Sequence, residues 1–486
     1  MTVAEMLQVQ EVDVVTQDDI LLAERMELDE QDLRALSVTR VHYLGNIMLE
    51  GEDAHPAIRV HCGPEGTIKR GGTKFKFYDE VDAWYDDGLA HGKAMRDKIG
   101  AIGEVDYAGG KTVVNIDPNP RGLSVAAKHH RITEALDQLA GLVQDAGLAD
   151  PYKDGTTGDE GTNAEIGRAY LRGLGRRGVE NYEACVTGKP DMQVRPAATG
   201  RGAAISIRAS MRLEGETERT LVIQGAGFAG AYLAAEAYRP YDPQDEDMTI
   251  RVAALGDLDG NKRPVTLTTS DPEGLAITRD MVDAVLLDPT DRHVQAANGD
   301  KIGAFALKLE ERGAHVEIVP EDVLFFDPKG RKNVSLAPAA TSGAINPGNI
   351  DKIKITDWEE IGNKTVKGIS SDELKARGIR KKPGHLRNAG GVEMSIQENR
   401  RDLDRIGAER DAREGRDTGL YLPVTDDEYE GRLHTTMTRA TLQAHRVAEQ
   451  YGVGLTTATK MVALGQYAMS QSMHISDTMR NLLIAA

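Results

Sequence analysis

Cysteine is nearly absent from this chain of 486 residues: there are two, Cys62 and Cys185. That count argues against a disulfide framework and against a cysteine-rich zinc site. Aromatic residues are scarce at 5%, so Val, Ile, Leu and Ala must fill the cores. Positive charge is in the minority, with 59 Lys and Arg against 77 Asp and Glu and a net charge of −18. A nucleic-acid partner demands a dense positive face, and none is expected here. The twelve histidines show no HExxH or comparable spacing, so no metal site is expected. No run of about 18 apolar residues occurs, so no membrane span is expected. The opening MTVAEMLQVQEVDVVTQDD is acidic, without a basic segment leading into an apolar one. No signal peptide is expected, and the cytoplasm is the default location.

What is present points to an α/β protein. At 40% apolar residues the chain can build sizeable cores, and its length suits two or three domains. DDILLAERMELDEQDLRALSV has helical spacing. Residues 56–79 alternate as two strands around a Gly-rich turn, and 80–100 read as a helix. VDYAGGKTVVNIDP, at 105–118, is strand-like, with a glycine turn ahead of Lys111. A helix is expected around 123–146. The stretch 150–163 is too rich in Gly, Asp and Thr for a regular element, and a helix starts after Asn163. Composition changes near residue 200. ERTLVIQGAGFAGAYLAAEAYR reads as strand, glycine turn and helix, and MTIRVAALGDLDGN as a second strand. Further βα units follow through NVSLAPAA, which implies a parallel, doubly wound sheet. Residues 326–335 and 347–386 read as surface loops or insertions, and the chain turns helical after 388.

Four constellations could carry chemistry. Gly225, Gly227 and Gly230 match GxGxxG between a strand and a helix, the context in which backbone N–H groups hold a pyrophosphate. Asp257 lies 27 positions past Gly230. It is either a turn residue or the acid that grips a ribose, and an acid there disfavours a 2′-phosphate. Lys262 and Arg263 follow closely and could instead hold that phosphate. Lys111 sits in a cramped, apolar, glycine-lined stretch. It either snorkels from a turn or is desolvated into a base that works near neutral pH. Lys98 and Asp159 are its candidate partners, and each also reads as an ordinary solvated or capping residue. KRGGTKF, at 69–75, suits a carboxylate or a plain basic turn. NAGGVEMS, at 388–395, lets a ligand approach its glycines and offers the Ser395 hydroxyl, or is simply a helix start.

The order of YAGGK, TGDEGTN, TGKP with ATGRG, GAGFAG, PAAT and NAGGVEMS resembles the glutamate/leucine/phenylalanine/valine dehydrogenases, glutamate dehydrogenase most of all. The likeness runs from about residue 65 to the C-terminus and is patchy between 260 and 385. It implies a two-domain architecture: a substrate-binding and oligomerisation domain over 1–202, a Rossmann-type domain over 203–387, and a helical return over 388–486. It implies reversible oxidative deamination of an L-amino acid, glutamate first and an aliphatic one next, to the 2-oxo acid and ammonia, with NAD or NADP, in a homo-oligomer, a hexamer. By resemblance, Lys111 activates the attacking water and Asp159 moves protons to and from ammonia. Lys98 is similar to the lysine that binds the α-carboxylate, although it stands one position further from Lys111 than the family spacing. Arg70 stands where a lysine meets the substrate side chain. Ser395 matches the serine beside that side chain, and Thr199 and Asn388 match nicotinamide contacts. An EGAN-type segment expected before NAGGV is missing, with KTVKGISSDELKARG near its place. The competing reading is a non-catalytic, ligand-binding or regulatory relative.

Overall fold

The computed structural model describes residues 9–158, 164–187, 196–259, 261–288, 290–297, 300–340, 342–414 and 424–485. The chain divides into two compact units. The first comprises Met1–Arg195, Val392–Gly431 and Lys460–Ala486, and the second Pro196–Gly391 and Arg432–Thr459. The architecture is α/β, as the sequence leads one to expect, and the helical C-terminal stretch contributes to both units.

Among the described residues of the first unit, seven strands form a mixed sheet: β1 (Gln10–Glu11), β2 (Thr39–Ile47), β3 (His55–Cys62), β4 (Ile68–Lys76), β5 (Tyr107–Asn115), β6 (Asp154–Gly158) and β7 (Val186–Thr187). Their order is β1-β2-β3-β5-β4-β6-β7. β5 runs antiparallel to β3 and parallel to β4, and β4 runs parallel to β6. Alternation along the strands gives the sheet two buried faces. Ala57, Phe75 and Val114 meet the Val125–Asp145 helix through Ile132, Leu136 and Leu139. Ile58, Val60 and Val113 meet the Val81–Ala101 helix through Trp84. That second helix comes close because Gly88 and Gly92 face the sheet: a Cβ on either would lie 2.8 Å from Ile58 or Val60.

Three sequence expectations change here. DGTTG is strand β6, not loop, because parallel pairing with β4 supplies the ladder that its composition does not favour. The pair Gly109–Gly110 is no turn; it lies inside β5. Gly71 and Gly72 likewise lie inside β4, and the turn between β3 and β4 falls at 63–67.

Among the described residues of the second unit, β8 (Glu218–Gln224), β9 (Thr249–Leu258), β10 (Pro264–Thr268), β11 (Glu317–Val319), β12 (Val334–Pro338), β13 (Asp357–Glu359) and β14 (Arg380–Lys382) form a sheet ordered β11-β10-β9-β8-β12-β13-β14. The strands from β9 through β14 across β8 are parallel neighbours, whereas β10 and β11 join antiparallel at one edge. The doubly wound core is therefore right and the all-parallel expectation is not. The hairpin from β9 to β10 turns at the DLDGNKRP stretch, where Lys262 adopts a left-handed φ of 63°. The segments 326–335 and 347–386, expected as surface loops, contain the start of β12 and all of β13 and β14. Leu221 and Ile223 enter one core and Val222 the other, as a strand buried on both faces requires.

Candidate functional site

In the first unit, register settles which side chains share a face. Val60 pairs with Lys111, Arg70 with Gly109 and Gly155, and Lys74 with Val113. Paired residues point the same way, so Arg70, Lys74 and Lys111 all face the Val81–Ala101 helix, which carries Lys98. Arg70 and Lys111 are each 2% exposed and Lys98 is 4% exposed. The sheet thus turns Arg70 and Lys111 to the face covered by the helix that carries the buried Lys98.

The glycines beside them are occupied by protein. A Cβ on Gly109 would lie 2.3 Å from Gly92 O and 2.5 Å from Arg96 N of the helix. One on Gly155 would lie 1.6 Å from Arg70 Nη1, so that glycine is the floor under the guanidinium. Arg70 Nη2 donates to Pro151 O at 3.2 Å and Ala184 O at 3.0 Å. Its Nε and Nη1 have no hydrogen-bond partner among the described residues. Burial lowers the affinity of this guanidinium for its proton.

Ser395 lies in the Gly390–Arg413 helix and is buried. Its neighbours Val392 and Ile396 pack on Ile99 and Tyr107, which brings the helix onto the start of β5. Asp159 and the rest of 159–163 lie outside the described residues.

Several residues of this layer escape sequence reading. Asn399 donates to Ala184 O at 3.0 Å and accepts from Tyr107 Oη at 3.1 Å, so it shares the Arg70 anchor. Lys74 Nζ lies 3.0 Å from Asp87 Oδ2, which also accepts from Tyr78 Oη at 2.6 Å. Burial alone would raise the Asp87 carboxyl, but His91, Tyr78 and Lys74 hold it well below the usual range. The only available signal was the spacing of Asp87 and His91, one helical turn apart. On the opposite face, burial brings the Lys69 amine down to about 8; its Nζ donates to Pro64 O at 2.6 Å.

The second unit holds the glycine loop. Gly225 has φ +98°, where only glycine is comfortable, and its Cβ position is filled by the 339–340 backbone. A Cβ on Gly230 would lie 1.9 Å from Gly225 O, so that glycine lets the Phe228–Glu236 helix close on the loop. Gly227 differs: a Cβ there meets nothing within 4 Å. The start of the helix therefore opens onto space that backbone N–H groups face.

Asp257 Oδ2 lies 3.2 Å from Ala226 N, inside the loop, and 3.2 Å from Lys301 Nζ. Arg263 is bonded to Asp259 at 2.8 and 2.9 Å. Lys301 is a neighbour that sequence distance concealed.

ATGRG and NAGG meet through their glycines. A Cβ on Gly390 would lie 2.2 Å from Ala198 O, and one on Gly202 would lie 2.8 Å from Gly390 Cα. Arg387 pins the same junction, donating to Ser206 O and Ser210 Oγ at 2.8 Å each and to Glu359 at 2.5 Å. Thr199 is half-buried at the start of the Ala198–Glu214 helix. Asn388 donates to Asn363 Oδ1 at 3.0 Å, and its own buried Oδ1 has no partner among the described residues. Asn363 follows β13 closely, and KTVKGISSDELKARG, near the place of the expected glycine-rich segment, contains the Ser371–Ala376 helix. Gln224, the last residue of β8, likewise has a buried Oε1 without a partner among the described residues. The open Gly227, the Asp257 carboxylate and these orphaned amide oxygens fit a dinucleotide.

No protein-family model matches the chain. The glutamate dehydrogenase of Thermotoga maritima is 24% identical over 424 residues, 86% of each chain. Among solved structures, the glutamate dehydrogenase from Peptoniphilus asaccharolyticus shares the fold with a TM-score of 0.62 at 20% identity, over 94% of this chain and 97% of that one. The hetero-hexameric glutamate dehydrogenase from Thermus thermophilus gives 0.64 at 18% identity, over 93% and 94%. In motif order, in curated relatives and in fold, the chain is similar to the glutamate/leucine/phenylalanine/valine dehydrogenases, and among them to glutamate dehydrogenase.

Proposed function

We propose that the chain is an amino-acid dehydrogenase that reversibly converts an L-amino acid and water to the 2-oxo acid and ammonia, with glutamate as first substrate. The observation that carries this reading is the burial of Arg70 and Lys111 on one face of one sheet, the face covered by the helix that carries the buried Lys98. A nicotinamide dinucleotide, when bound, accepts the hydride from Cα. The residues of the chain do the rest. Lys98 and Arg70 meet carboxylates of the substrate, with Ser395 beside the side chain. Arg70 offers Nε and Nη1 for that purpose, since Nη2 is engaged by main-chain carbonyls. Lys111, buried on the sheet face that the Val81–Ala101 helix covers, takes the proton of the water that attacks the imine carbon. Asp159 carries protons to and from the departing ammonia.

NAD is our preferred cofactor. Support comes from Asp257, whose carboxylate meets the glycine loop at Ala226 and would repel a 2′-phosphate; Arg263 is engaged by Asp259 and so is a poor rival. Thr199, Gly225, Gly227, Gly230, Asp257 and Asn388 would hold the nucleotide. A homo-hexamer and a cytoplasmic location complete the reading. Its test is absorbance at the reduced-nicotinamide band with NAD or NADP and a panel of L-amino acids. Reduction with glutamate and NAD is expected; reduction only with an aliphatic amino acid would move the substrate, and a silent panel would contradict the reading.

A further inference from the structure

Behind the cation layer, on the other face of the same sheet, lies a buried ion pair that the reaction as proposed does not use. Arg59 pairs in register with Thr112 and therefore points away from Lys111. Both Arg59 and Asp154 are buried. Arg59 Nε donates to Asp154 Oδ2 at 3.1 Å, and Nη2 donates to Asp154 Oδ1. The remaining bonds go to the neighbours of the site residues. Nη1 donates to Thr112 Oγ1 at 3.1 Å, directly after Lys111, and Nη2 donates to Gly155 O at 2.8 Å. The same guanidinium fills the space of the missing side chain at Gly110, directly before Lys111: a Cβ there would lie 2.5 Å from Nη2 and 3.0 Å from Cζ. Gly155 is the floor beneath Arg70. Asp154 is itself fixed, since its Oδ1 accepts from Gly155 N at 2.8 Å and His61 Nε2 lies 3.1 Å from its Oδ2.

We propose that Arg59, locked by Asp154, is a positioning residue that steadies the residues on both sides of Lys111 and the Gly155 backbone under Arg70, and that Gly110 is a glycine because Arg59 occupies its side-chain space. One guanidinium thus braces β5, which carries Lys111, and β6, whose Gly155 pairs with Arg70 of the neighbouring strand. The inference rests on the proposed reaction only for what Lys111 and Arg70 do; the bracing is a matter of geometry.

The test uses the full-length protein and three variants. Arg59→Met alone leaves a buried carboxylate unpaired and is exposed to misfolding, so the decisive variant is Arg59→Met with Asp154→Asn, which removes both charges. It is expected to stay folded, to keep its KM for the nucleotide and to lose about 10²-fold in kcat, the scale of a 1 Å misplacement. Gly110→Ala is expected to lose activity, and Arg59→Ala with Asp154→Asn added to it to restore folding stability but not kcat. A folded double variant with the kcat of the parent overturns the proposal, as does a Gly110→Ala protein of unchanged stability and activity. Should the parent show no dehydrogenase turnover, the reaction fails first. Crystal structures of parent and double variant then decide: displacement of Lys111 Nζ and the Arg70 guanidinium by about 1 Å supports the bracing, and unmoved groups overturn it.

Discussion

The glycines of the two units look alike in the sequence and serve opposite ends. Beside Lys111, the positions a side chain would take at Gly109, Gly110 and Gly155 are filled by a helix backbone, Arg59 and Arg70. In the second unit, Gly227 faces open space within 4 Å, at the start of a helix. A glycine pair beside a functional residue is therefore not in itself room for a ligand. In the first unit, glycine lets protein come close enough to bury charge; in the second, it leaves a place for something else.

That contrast can be broken by single substitutions. The largest effect is expected for Gly109→Ala, which forces a methyl into the helix backbone at 2.3 Å from Gly92 O. Overpacking against backbone costs about 3 kcal/mol, read as a lower denaturation midpoint. A protein of unchanged stability would mean that this contact yields easily. Gly227→Ala should do the reverse. Its φ of −83° is open to alanine, so stability should stay within about 0.5 kcal/mol, while nucleotide affinity, measured by fluorescence titration, falls about tenfold, or ~1.4 kcal/mol. Equal affinity in the variant would remove the pyrophosphate from that space. A smaller effect is expected for Asp257→Asn, which takes away the charge at the loop. The ratio of NAD to NADP affinity should fall severalfold, toward NADP, with Lys301 left at the site.

The smallest effect concerns pH and touches both units through one histidine each. Burial brings His42 down to about 4, and burial likewise brings His445 down to about 4, below the ordinary value of ~6.5. Between those values the unfolded chain binds protons that the folded chain excludes, so stability is full above about pH 6.5 and declines as pH falls toward 4. Melting curves across that window should show the decline, reduced in His42→Gln and His445→Gln. The depressed carboxylates Asp87 and Asp154 act in the same direction at still lower pH, below their unfolded value of ~3.9.

The parts of this molecule that a reader could see in the sequence are those coded locally. GAGFAG lies between an apolar strand and a helix because the signals sit side by side, and Lys111 and Arg70 stand out through motif order. What escaped needed a partner from elsewhere. DGTTG becomes a strand only because β4 offers a parallel edge. Gly109 and Gly110 read as a turn because glycine is local punctuation, whereas their reason lies in Arg96 and Arg59, far off in the chain. DWE forms β13 beside β12 although three residues carry little pattern of their own. Lys301 meets Asp257 across 44 positions, and Asn399 reaches the Arg70 anchor from 215 positions beyond Ala184. No spacing rule announces such pairs.

The proposed reaction depends on Lys111 as the reacting amine, buried on its sheet face. The most direct measurement is kcat for glutamate with NAD in Lys111→Ala beside the parent, with nucleotide affinity and melting midpoint determined on the same samples. Turnover is expected to fall by about 10²-fold or more, the scale of a lost general base, while nucleotide affinity and folding persist. A Lys111→Ala protein that turns over like the parent would contradict it.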